Sequence, residues 1–102
     1  MRINVLSHVK AALNGTTNIA EEDREKKLAI TARWILADLT AGFPDYVTRS
    51  EDGEFMVELE TEKAAADEVD INLQYMRILG LYTAAYWSDG FLGLTQSFSL
   101  EL

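Results

Sequence analysis

Residues 21–44 read EEDREKKLAITARWILADLTAGFP, and this stretch decides the fold. Its apolar residues recur at the three- and four-residue spacing of an α-helix, and Gly42 followed by Pro44 predicts that the helix ends near Ala41. One apolar stripe of this helix consists of Leu28, Ala32, Ile35, Leu36 and Leu39. We therefore expect a long helix that packs this stripe into the core of a small domain.

The same helix carries a second apolar stripe on nearly the opposite side, formed by Ile30, Trp34, Ala37 and Ala41. A helix of a small monomer needs only one buried face. The second stripe is therefore either covered by another part of this chain or contacts a partner chain. We predict Ile30, Trp34 and Ala37 as contact residues.

Three further segments complete the predicted domain. Residues 2–13 have the apolar stripe of a short amphipathic helix. Residues 46–60 include an alternating apolar pattern and an Asp52-Gly53 turn, which is typical of a β-hairpin or an extended arm. The pattern of residues 62–88 predicts a second long helix. The alternative is that the helix is weakly broken before Asp70, which then begins a separate helical segment. The expected fold is mainly α: a small bundle of two long helices and a short N-terminal helix, with the hairpin or arm near 46–60.

The helix predicted after residue 70 is apolar on nearly all sides, which is typical of a helix at the centre of a bundle or an assembly. Tyr82 and Trp87 are predicted contact residues on it. Gly80 costs about 1 kcal/mol relative to alanine in a helix interior. We therefore expect another backbone to approach Gly80 closely.

Residues 91–102, FLGLTQSFSLEL, predict an extended and strongly apolar C-terminal tail. The chain is thus expected to divide into a helical domain over 1–90 and a tail over 91–102. A segment of this pattern favours docking in a groove or on a sheet edge, either of its own chain or of another protein. The predicted contact residues of the tail are Phe91, Leu94, Phe98, Leu100 and Leu102.

The net charge of −8 is concentrated in one part of the chain. Residues 51–70 contain nine acidic residues and one lysine, so they account for all of it. Such a stretch excludes a surface that grips phosphates. It predicts a solvated face, a channel wall along which DNA slides, or a surface that imitates DNA. The acidic surface or channel residues are Glu51, Asp52, Glu54, Glu58, Glu60 and Glu62.

Residues with catalytic or metal-binding chemistry are few. The chain has no cysteine and one histidine, His8, which excludes disulfides, thiolate metal sites and a Cys–His nucleophile. Asp67 and Asp70 stand at helical i,i+3 spacing, but no histidine near them would complete a transition-metal site. No apolar run approaches the ~20 residues of a membrane helix. We expect no enzymatic activity, no cofactor, no metal and no contact with a membrane.

Two long stretches carry a resemblance to a known family. They are DREKKLAITARWILADLTAGFPDY over 23–46 and LQYMRILGLYTAAYWSDG over 73–90. In their order and pattern they resemble the head-tail connector or adaptor proteins (head completion proteins) of long-tailed bacteriophages. In that family the first long helix begins with charged residues and continues with aliphatic and aromatic ones. The later helix ends in alanine, an aromatic pair and a polar stop, as residues 84–89 do here.

The resemblance implies a helical subunit of a dodecameric ring in the neck of the virion, assembled in the host cytoplasm. The implied partners are other copies of this chain, the portal protein and a neck or tail protein. DNA would pass through the ring without sequence-specific binding. Two alternatives remain open: an acidic inhibitor that imitates DNA, and another small phage tail-completion or assembly protein.

Overall fold

The computed structural model describes residues 1–13 and 21–84, and for residues 21–23 it describes the backbone alone. The elements in chain order are β1 (Arg2–Asn4), α1 (Val5–Ala12), α2 (Glu21–Gly42), β2 (Val47–Arg49), β3 (Met56–Leu59) and α3 (Thr61–Ala66). A fourth helix, α4, covers residues 71–84. The expectation of a mainly α fold with a β-hairpin is confirmed. The end of the second long helix at residue 88, the domain boundary at 90 and the tail over 91–102 lie outside the described residues.

The first residues form a strand, so the predicted helix over 2–13 is wrong at its start. Asn4 ends β1 and caps α1, because its side-chain oxygen accepts a hydrogen bond from the backbone N–H of Ser7 at 3.0 Å. Ile3 lies opposite Val57 in an antiparallel pairing. The apolar stripe predicted for the helix is found from Val5 onward.

The sheet has three antiparallel strands in the order β1-β3-β2. The predicted hairpin supplies β2 and β3, with Val47 opposite Leu59. A hairpin alone is marginal in water. The added strand β1 places β3 at the centre, where Val57 and Leu59 are fully buried against the helices.

Helix α2 packs its predicted stripe into the core. Leu28, Ala32, Ile35, Leu36 and Leu39 are each at most 1% exposed. The helix ends at Gly42, one residue beyond the prediction. Helices α1 and α4 cover this stripe together with the sheet, and Val5, Val9, Ile71 and Tyr75 belong to the same core.

The predicted continuous helix over 62–88 is wrong, and the alternative break before Asp70 is correct. Glu68 has a positive φ of 62°. Its N–H donates to Ala65, and the next N–H, of Val69, donates back to Ala64, which is the Schellman pattern of a helix end. Asp70 then caps α4, because its carboxylate accepts from the N–H of Leu73 at 3.0 Å.

The left-handed residue at the end of α3 leads to a stability prediction. Replacing Glu68 by glycine is expected to raise the free energy of unfolding by about 0.5–1 kcal/mol, because glycine adopts this conformation without steric cost. Glu62→Gly is the matched control. It puts glycine at an exposed position within α3 and is expected to lower stability by about 0.5–1 kcal/mol. Urea unfolding of both variants measures this, and two losses of similar size would contradict it.

Candidate interaction surfaces

The second stripe of α2 is accessible at most of its positions. Trp34 is 37% exposed, Ala37 and Ala41 are exposed, and Ile30 is half-buried. These residues lie opposite the core stripe because both stripes follow the helical repeat. We call Ile30, Trp34, Ala37 and Ala41 the outer α2 stripe.

Tyr82 is not part of an exposed contact surface in this structure, although we predicted it as a contact residue. It is 6% exposed and its hydroxyl donates to Asp38 on α2 at 2.7 Å. Its ring lies 6.3 Å from that of Trp34. Burial raises the pKa of Tyr82, and the hydrogen bond to Asp38 raises it further. Tyr82 therefore joins α4 to α2 within the chain.

Helix α4 leaves one apolar face uncovered by the described residues. Leu73 is 51% and Met76 57% exposed, and Gly80 follows them on the same side of the helix. The space that a side-chain methyl group would occupy at Gly80 has no atom of another part of the described chain within 4 Å. Among the described residues, therefore, no other backbone approaches Gly80 closely, and the predicted approach stays a prediction for the rest of the chain or a partner. Sequence periodicity did not separate this face from the buried one, because both are apolar.

A groove of about 740 Å³ lies between the C-terminal end of α2 and α4. Ala41 and Phe43 line it on the α2 side, and Ile78 and Leu81 on the α4 side. Arg77 and Asp38 add one charge of each sign. We call this the α2–α4 groove. This groove could not be predicted from the sequence, because it depends on how the two helices pack.

Two of the predicted acidic residues are held by arginines far away in sequence. Arg33 on α2 binds Glu54 through Nε at 2.5 Å, and Arg2 on β1 pairs with Asp52. The hydrogen bond from Arg33 holds the pKa of Glu54 below its usual range. Both pairs are exposed, so each contributes little to stability. The two pairs connect the hairpin turn to α2 and to β1.

The other predicted acidic residues are spread over several elements. Glu58 lies 3.5 Å from the amino group of Met1, and Glu60 accepts a hydrogen bond from Thr48 at 3.3 Å. Glu51 and Glu62 are exposed at the hairpin turn and at the start of α3. The acidic stretch of the sequence is thus divided between the turn, the sheet and α3.

The isolated histidine and the aspartate pair both have structural contacts. His8 Nδ1 lies 2.7 Å from the hydroxyl of buried Tyr75. Asp67 accepts from the hydroxyl of Tyr46 at 2.7 Å, whereas Asp70 caps α4. The two aspartates do not share one helix face, because the break separates them. Within residues 1–13 and 24–84, whose side chains the structure describes, no three histidine or acidic side chains converge on a possible metal position.

The remaining predicted contact residues, Trp87, Phe91, Leu94, Phe98, Leu100 and Leu102, lie outside the described residues. Among the helices that are described, none combines the length and the hydrophobicity required to cross a bilayer. Comparison with protein-family models gave no match. Searches of curated proteins and of solved structures gave no significant match either. The surfaces themselves therefore carry the functional argument.

Proposed function

We propose that this chain is a structural subunit of a phage neck, a head-to-tail connector that forms a ring between the portal and the tail. The observation that carries the proposal is the outer α2 stripe, which has an exposed tryptophan opposite the core face. Exposed apolar side chains grouped on one face of a helix are typical of a protein–protein contact. Tryptophan is also among the residues that contribute most to such contacts.

A closed ring requires two different contact surfaces on each subunit, because one surface of a copy meets the other surface of the next. A two-fold dimer needs only one self-complementary surface. The chain has a second exposed apolar surface on α4, at Leu73 and Met76. Two surfaces on two helices therefore favour side-by-side packing around a ring.

The charge distribution is compatible with a channel that DNA passes through. A net charge of −8 disfavours tight binding to phosphates. The alternative of a DNA-imitating inhibitor is less well supported, because it needs a continuous row of acidic groups. Here Asp52 and Glu54 are paired with arginines. In the proposed assembly, which forms in the host cytoplasm and remains in the virion, the portal and a neck or tail protein contact the two sides of the ring.

The oligomeric state tests this proposal. Native mass spectrometry and negative-stain imaging of the full chain are expected to show closed rings. Ala37→Lys places a charge in the middle of the outer α2 stripe and is expected to reduce the assembled fraction at least about tenfold, since a buried unpaired charge is costly. The fold should be preserved, because alanine and lysine are both good helix formers and residue 37 is exposed.

Ala66→Lys is the matched control for the assembly experiment. It makes the same change at an exposed position of α3, a helix that contributes no residue to either apolar surface. Rings should form from this variant as they do from the original chain. A stable monomer for the original chain, or equal assembly of Ala37→Lys, would contradict the connector proposal.

A further inference from the structure

We propose that residues 91–102 dock into the α2–α4 groove of their own chain. This inference concerns a contact within one subunit, and it does not depend on the connector proposal. The groove has about 740 Å³, a volume within the range of roughly 300–1,000 Å³ that is usual for binding sites. Several apolar side chains can therefore be buried in it.

The chemistry of the segment complements that of the groove. The groove offers apolar side chains from both helices, including Phe43, Ile78 and Leu81. The segment contains six large apolar residues and a single charged side chain, that of Glu101. Arg77 lines the groove and makes no ion pair with any described residue. Glu101 thus supplies the charge opposite to that of Arg77.

The length of the chain after α4 allows the segment to reach its own groove. Leu81 lines the groove only three residues before residue 84, a rise of about 4.5 Å along the helix. Residues 85–90 can span up to about 20 Å when extended. This is ample for the chain to reverse direction and place residues 91–102 along α4.

The short connection also favours the segment's own groove over that of another copy. A segment attached through a connection of only six residues has an effective concentration of about millimolar at a site within its reach. Another copy must compete at its actual concentration, which is far lower in dilute solution. The docked segment would cover the groove, including Met76 on α4 and Ala41 at the C-terminal end of the outer α2 stripe.

Cysteine cross-linking tests the proposal on the full chain, which contains no native cysteine. The test variant combines Ala41→Cys in the groove with Ser99→Cys in the segment, and both changes are small. The control combines Ala12→Cys with Ser99→Cys. Ala12 is an exposed residue of α1, whose neighbour Lys10 pairs with Glu25 at the opposite end of α2 from Ala41.

We call the cysteines at positions 41 and 99 the groove pair and those at positions 12 and 99 the control pair. Under a mild oxidant, the groove pair is expected to form its disulfide at least tenfold faster than the control pair. Mixed ¹⁴N and ¹⁵N protein shows whether each link lies within one chain. Links within single chains support the proposal. Links between labelled and unlabelled chains would overturn docking within the chain, and equal rates for the two pairs would overturn docking in the groove.

Charge reversal provides a second readout. In the groove-pair background, Arg77→Glu is expected to slow cross-linking, because it places two negative charges together. Adding Glu101→Arg should restore the rate, since the pair is then reversed. If the double reversal leaves cross-linking as slow as Arg77→Glu alone, the pairing of Arg77 with Glu101 is wrong.

Discussion

Replacing Leu39 by alanine is expected to lower the free energy of unfolding by about 3–5 kcal/mol. Leu39 is fully buried in the core stripe of α2. The substitution removes apolar contacts and leaves a cavity that the surrounding helices and sheet fill only in part. A domain of this size has a total stability of about 5–15 kcal/mol. The variant is therefore expected to unfold at a much lower urea concentration than the original chain.

Leu73→Ala is the matched control for this substitution. It is the same chemical change, also within a helix, but the side chain of Leu73 is 51% exposed. Its effect on the free energy of unfolding is expected to stay below about 1 kcal/mol, in the range of surface substitutions. If urea unfolding gave equal losses for both variants, the assignment of the α4 faces would be wrong.

The second large effect is expected at Tyr75, the tyrosine through which α4 contacts α1. Its side chain is 2% exposed, and its hydroxyl bonds to His8. Tyr75→Ala removes a buried aromatic ring and is expected to cost about 3–5 kcal/mol. Tyr75→Phe keeps the ring and loses only the hydrogen bond, for which about 0.5–1.5 kcal/mol is usual. Thermal or urea unfolding at neutral pH measures both losses.

Tyr75 is also expected to make the free energy of unfolding depend on pH. Burial raises the pKa of Tyr75 above the ordinary value of 10.0. The unfolded chain therefore loses this proton at a lower pH than the folded chain does. The stabilising effect is complete below pH 10 and declines as the pH rises above it. Tyr75→Phe should flatten this decline in alkaline urea unfolding, and an unchanged slope would show that Tyr75 is not the responsible group.

The helical repeat of the sequence was sufficient to predict α2 and its buried stripe, because one strongly apolar side recurs over many turns. The Asp52-Gly53 turn similarly predicted the hairpin. Strand β1 was missed because three residues are too few to show alternation, and Ile3 also fits the start of the following helical stripe. The break before Asp70 was weakly signalled, since residues 64–66 are three alanines that favour a helix.

The interaction surfaces were only partly predictable. The outer α2 stripe follows from the helical repeat and lies where it was predicted. Tyr82 was assigned to a partner contact but is buried, because an all-apolar helix does not reveal which side its neighbours cover. The partners of the acidic residues were also invisible in the sequence. Arg33 and Glu54, for example, are 21 residues apart and meet only because the hairpin folds against α2.

The pairing of β1 with β3 affects the order in which the chain folds during synthesis. Ile3 leaves the ribosome more than fifty residues before its partner Val57. At about 5–20 residues per second, the first strand waits roughly 3–10 s for the strand beside it. Closing so long a loop also costs entropy before the contact forms. Local helical turns can form during that interval, whereas β1 can pair with β3 only after residues 56–59 have been synthesised.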